Sequence, residues 1–128
     1  GSIAINQKEI AMWMVKKAAN KFNNGQILTL KECIQSLKFN HPFIKSVWSI
    51  LVANGFLLEV KNDIDEGIVP AKPSDQIRLK EILDSVDLSA FPPLLVPETE
   101  MLKNIKEEYL AFDKESSLVK ANLFVSNM

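Results

Sequence analysis

Cys33 and His41 have the widest chemical range of any residues in this 128-residue chain, and each occurs only once. Three or four ligands hold a zinc ion, and an iron–sulfur cluster is usually held by four, so this pair builds neither site. His41 directly precedes Pro42 and reads as a helix-start residue. A serine nucleophile would need an acid–base partner and a sharp glycine-flanked elbow, and the chain offers only that one histidine and no such elbow. The four glycines, at 1, 25, 55 and 67, are too dispersed to form a phosphate-binding loop. Asp63, Asp65 and Glu66 lack the spacing of a Ca²⁺ loop and read as a solvated turn. The sequence therefore predicts no catalytic, metal or cofactor site and no enzyme, and no small-molecule ligand is evident.

What remains is recognition, and its elements can be placed by period. Residues 8–22 have helical composition, with Met14, Ala18 and Phe22 at four-residue steps beside Ala11 and Val15; the polar run 23–26 stops them. Thr29 and Glu32 form a capping box that starts a second, short helix. A third helix is predicted over 42–54, with Asn40 or His41 as cap and Asn54-Gly55 as its end. Residues 56–61 then alternate loosely, and "IVPA" at 68–71 reads as the returning strand of a hairpin closed by Gly67. Pro70 and Pro73 point to an edge position for that return strand.

Helical spacing resumes at 74–86, where Ser74 or Asp75 offers a cap and Ile77, Leu79, Ile82, Leu83 and Val86 share a face. Three prolines at 92, 93 and 97 mark a connector, and Pro97 is expected to open a long helix to about Asp113. Leu102, Ile105, Tyr109 and Phe112 form its apolar seam, and Ser116 or Ser117 starts a last short apolar segment. The fold class expected is mainly α with a small β-hairpin: a winged helix-turn-helix over 3–90, followed by a proline-rich connector and C-terminal helical extension over 91–128. Gly1-Ser2 reads as an expression-tag remnant on part of a longer polypeptide.

Composition is globular, with 47% hydrophobic and 24% charged residues. The longest apolar run, Ile10 to Val15, is far short of the roughly 20 residues of a spanning helix. Residues 1–72 carry net +3 and residues 73–128 net −4, a weak basic excess for a duplex-binding protein.

"LTLKECIQSLKFNHPFIKSVWSILVANGFLLEV" followed by "GIVPAKPSDQIRLKEILDSV" is similar to the pattern of two related settings. One is winged-helix repressors that sense iron–sulfur status or cysteine metabolism. The other is the cytosolic C-terminal domain of the YihY/ribonuclease BN (BrkB-like) inner-membrane proteins. Ala71, Lys72, Pro73, Ile77, Leu79, Ile82 and Leu83 carry the phrase after the wing, and the resemblance covers roughly 8–90. The clustered cysteines of the iron–sulfur repressors are missing here, so the membrane-protein resemblance is preferred. It implies a non-enzymatic domain on the cytoplasmic side of the bacterial inner membrane, with the rest of that protein or a second copy as partner. Nothing in the residues supports the ribonuclease name.

Two sets of site residues follow. On a wheel of about 100° per residue, Met12 and Trp13 fall outside the first helix's core stripe, beside Lys16 and Lys17, as for an interface. The Leu102, Ile105, Tyr109 and Phe112 seam is its counterpart, facing a twin helix or packing within the chain. The alternative function, a DNA-binding transcription regulator, would use Lys45, Ser46 and Ser49 of the third helix with Lys61 of the wing. So few donors make a thin reading head, and nucleic acid is accordingly the less favoured partner.

Overall fold

The computed structural model describes residues 1–61, 63–87, 91–119 and 124–127. Asn62 of the expected hairpin turn, residues 88–90 of the expected connector and residues 120–123 of the expected last segment lie outside them.

Helix α1 (Gln7–Asn23) starts at a reciprocal cap: the Asn6 side chain accepts from the Glu9 N–H at 3.0 Å, and Glu9 Oε1 accepts from the Asn6 N–H at 2.9 Å. Such a cap contributes about 1 kcal/mol by satisfying two orphan donors. Helix α2 (Leu30–Leu37) is closed by the same device at Thr29 and Glu32, as its sequence predicts. Lys38, with φ of 57°, turns the chain left-handed toward α3 (His41–Ala53). Pro42 lies in the first turn of α3, and Gly55, with φ of 75°, follows its end.

Helix α1 is the rod of the structure. Ile10, Met14, Val15 and Ala18 are buried, and α3, α4 and α5 all pack against it. Phe22 does not join this core although its spacing suggests it: it is 54% exposed, in the last turn of α1.

Strands β2 (Leu28–Thr29), β3 (Leu57–Lys61) and β4 (Glu66–Pro70) form an antiparallel sheet in the order β2-β4-β3. This corrects two expectations. The return strand β4 is central rather than at an edge, and Pro70 is tolerated because it is the strand's last residue. Gly67 lies within β4, opposite Val60 and Thr29, instead of closing the turn. A Cβ there would sit 2.8 Å from the Leu28 carbonyl oxygen, so glycine is what lets β2 and β4 approach.

Residues 74–86 do not form one helix. A 3₁₀ turn (Ser74–Gln76) gives way to extended Ile77, whose carbonyl accepts from the Val125 N–H at 2.9 Å, and α4 (Leu79–Asp84) follows. The apolar face is nonetheless as spaced, with Ile77, Leu79, Ile82, Leu83 and Val86 all buried.

Strand β1 (Ser2–Ile5) pairs antiparallel with β5 (Leu94–Pro97), from Ser2 opposite Pro97 to Ile5 opposite Leu94. Neither strand is marked in the sequence, and Pro97 ends β5 rather than opening a helix. Helix α5 (Glu100–Val119) is capped instead by Thr99, whose hydroxyl accepts from the Leu102 N–H at 3.2 Å. It continues through Ser116 and Ser117 without the break expected there. The result is a winged helix-turn-helix with β3 and β4 as the wing and a C-terminal helix on α1.

Candidate nucleic-acid interface

Helix α3 turns Phe43, Ile44, Val47, Trp48 and Leu51 into the core. The opposite face carries Pro42 and Ser49, both exposed, with Lys45 half-buried at its side, and His41 is exposed as the first residue of the helix. Lys45 Nζ stands 5.2 Å from the Trp48 ring centroid, a cation–π arrangement. The indole N–H of Trp48 donates to Glu59 Oε1 of β3 at 3.3 Å, which ties helix to wing. Lys45 is therefore held over an aromatic face that is itself anchored, instead of swinging freely.

Ser46 does not join the outward set predicted for it. Its hydroxyl donates to the Phe43 carbonyl at 2.6 Å and accepts from Gln7 Nε2 of α1 at 2.9 Å. Its bonding is directed into the domain, at the contact between α1 and α3. Lys61 is exposed at the end of β3, next to a wing tip whose Asp63, Asp65 and Glu66 are also exposed.

Of the residues expected to form an interface on α1, two are buried or half-buried, one is paired with α5 and one is exposed. Met12, predicted to lie outside the core stripe, is 1% exposed. Trp13 is half-buried against the core, and Lys16 is paired with Glu108 of α5. Lys17 stays exposed. Leu102, Ile105 and Phe112 are buried and Tyr109 half-buried, so the α5 seam packs within the chain. Burial raises the Tyr109 hydroxyl pKa, with help from Asp113 and Glu9. A groove of about 430 Å³ remains between α1 and α5, bordered by Met12, Trp13, Lys17 and Ile105.

Residues that the sequence reading did not single out are Gln7, Glu9 and Glu59, which bond Ser46, Lys106 and Trp48. For the first two a signal exists, since "NQKE" at 6–9 is itself a capping-box pattern. Cys33 is buried, and burial, then Glu32, pushes its thiol up to about 12, which leaves it protonated and inert. Burial alone would raise Glu32, but hydrogen bonds from Lys21 and Thr29 outweigh it and bring its carboxyl below the usual value. Among the described residues no group of three or more His, Cys, Asp or Glu could hold a metal ion.

The chain matches no protein-family model and no curated protein. Solved structures do share its fold. IscR from T. potens is 16% identical, with a TM-score of 0.63 over 95% of this chain and 82% of its own. CymR, the global cysteine regulator of B. subtilis, is 16% identical, with a TM-score of 0.55 over 94% and 87%. CymR from Staphylococcus aureus is 14% identical, with a TM-score of 0.59 over 93% and 91%. The likeness extends beyond 8–90 to include α5.

The likeness to CymR, a global cysteine regulator, overturns the preferred expectation of a domain from a YihY/BrkB-like membrane protein. Neither that origin nor attachment to an inner membrane has support. Among the described residues no helix is long and apolar enough to cross a membrane.

Proposed function

We propose that the chain is a non-enzymatic, DNA-binding transcription regulator that presents α3 to the major groove and β3–β4 to the flanking backbone. The observation that carries this is the shared fold over nearly the whole chain with regulators such as CymR. The α3 face supports it: His41 stands exposed at the N-terminal end, where recognition helices meet base edges, and Lys45 and Ser49 follow on the same side. The acidic wing tip repels phosphates, so the electrostatic weight of binding falls on Lys45 with help from Lys61. So few contacts on one copy favour action as a homodimer on two half-sites.

Fluorescence anisotropy with labelled duplexes tests the proposal. Binding should weaken steeply with salt, and Lys45→Ala and Lys61→Ala should each lower the slope of log K against log salt by about 0.9 per phosphate contact removed. No binding to any duplex at low salt would refute it.

A further inference from the structure

Gln7 is 0% exposed, in the first turn of α1, and its Nε2 reaches across 39 residues of sequence to Ser46 in the middle of α3. No hydrogen bond is needed for the two helices to pack: Phe43, Ile44, Val47, Trp48 and Leu51 already supply an apolar face. Close packing and the Trp48–Glu59 bond resist large rotations of α3 about its axis, but apolar contact is non-directional and does not set a fine angle. A hydrogen bond to a buried amide is directional, and it fixes the angle.

On the α3 wheel, Lys45 and Ser49 lie about 100° and about 60° to the same side of Ser46. A rotation at Ser46 therefore moves both presented side chains together. Gln7 also sits in a fixed frame. Asn6, just before it, and Glu9, two residues on, close the cap of α1, and Glu9 is bonded to Lys106 of α5 at 3.0 Å. Gln7 Oε1 is buried without a partner among the described residues, a cost that an apolar side chain of similar length would avoid. The bond that its Nε2 makes to Ser46 is what stands against that cost.

We infer that Gln7 is a positioning residue for recognition: through Ser46 it sets the rotation at which α3 presents Lys45 and Ser49 to a duplex. This rests on the DNA-binding role proposed for α3, and the test separates the two. A duplex is selected on the wild-type protein from a randomised pool, and its affinity is compared with that of a scrambled duplex for wild type, Gln7→Met, Ser46→Ala and the double variant. Amide ¹H–¹⁵N shifts are recorded without DNA.

Gln7→Met should keep the salt slope but lose at least about fivefold of the selected-to-scrambled ratio, the low end for one base contact. The double variant should lose no more than the single ones, since all remove the same bond. Amide shifts should change along residues 43–49. Unchanged discrimination together with unchanged α3 shifts would overturn the inference. If the wild type discriminates no duplex, the proposed function has failed, and the shifts alone decide whether Gln7 orients α3. If Gln7→Met does not fold, Ser46→Ala, at a half-buried site, is read in the same way.

Discussion

Lys106→Ala should destabilise the protein far more than the loss of an ordinary surface lysine. Lys106 Nζ donates to both carboxylate oxygens of Glu9, at 3.0 and 3.3 Å, and to the Ala4 carbonyl at 2.8 Å, so one ammonium joins α5, α1 and β1. The Glu9 side chain is 1% exposed and that of Lys106 35%. Removing one partner of a fully buried pair costs about 3–5 kcal/mol, because the other charge is left without compensation. Lys106 is about one-third open to water, which enters the vacated space and reduces the penalty, so about 2–3 kcal/mol is expected.

For a chain of this length 1 kcal/mol corresponds to about 4 °C, so Tm should fall by roughly 8–12 °C. Calorimetry on Lys106→Ala, Glu9→Gln and the double variant checks the figure. Glutamine keeps the capping box while removing the charge, so Lys106→Ala should cost at least about 1 kcal/mol less in that background. A Tm within about 2 °C of wild type for Lys106→Ala would refute the claim that burial of Glu9 makes this lysine structural.

Three further outcomes follow from single sites. Gly67→Ala should lower stability by about 1–3 kcal/mol, since the Leu28 backbone oxygen cannot yield without parting β2 from β4; urea unfolding measures it, and an unchanged midpoint would refute the close approach. Cys33, buried with its thiol pushed up to about 12, should resist iodoacetamide at neutral pH and react only on unfolding; rapid labelling of the native protein would contradict its burial. The Glu32 carboxyl is lowered in the folded state, so its contribution is complete above the ordinary glutamate range and is lost as pH falls through the lowered value. Lys21→Met should therefore flatten the acid limb of the Tm–pH curve, by no more than about 1 kcal/mol for so accessible a pair.

The helices legible in the sequence were those whose signals are local. Thr29 with Glu32, Pro42, and Asn54-Gly55 mark boundaries within one turn, and the apolar spacing of α1, α3 and α5 names most of the core. The wing was legible as a hairpin because its strands are neighbours in sequence. Of the residues proposed to face DNA, Lys45 and Ser49 lie on the outward side of α3, whereas Ser46 is bonded to Gln7, a partner no helical wheel contains.

By itself, then, the sequence determined the order of helices and wing, the absence of metal-ligand spacing, and which residues of each helix are apolar. Only the tertiary structure decided that Ser2–Ile5 pairs with Leu94–Pro97, that β4 is central, and that Met12 is buried. The physical reason is range. Caps and periodicity act between residues three or four apart, but strand pairing and the covering of one helix by another depend on groups far along the chain, which local pattern cannot specify.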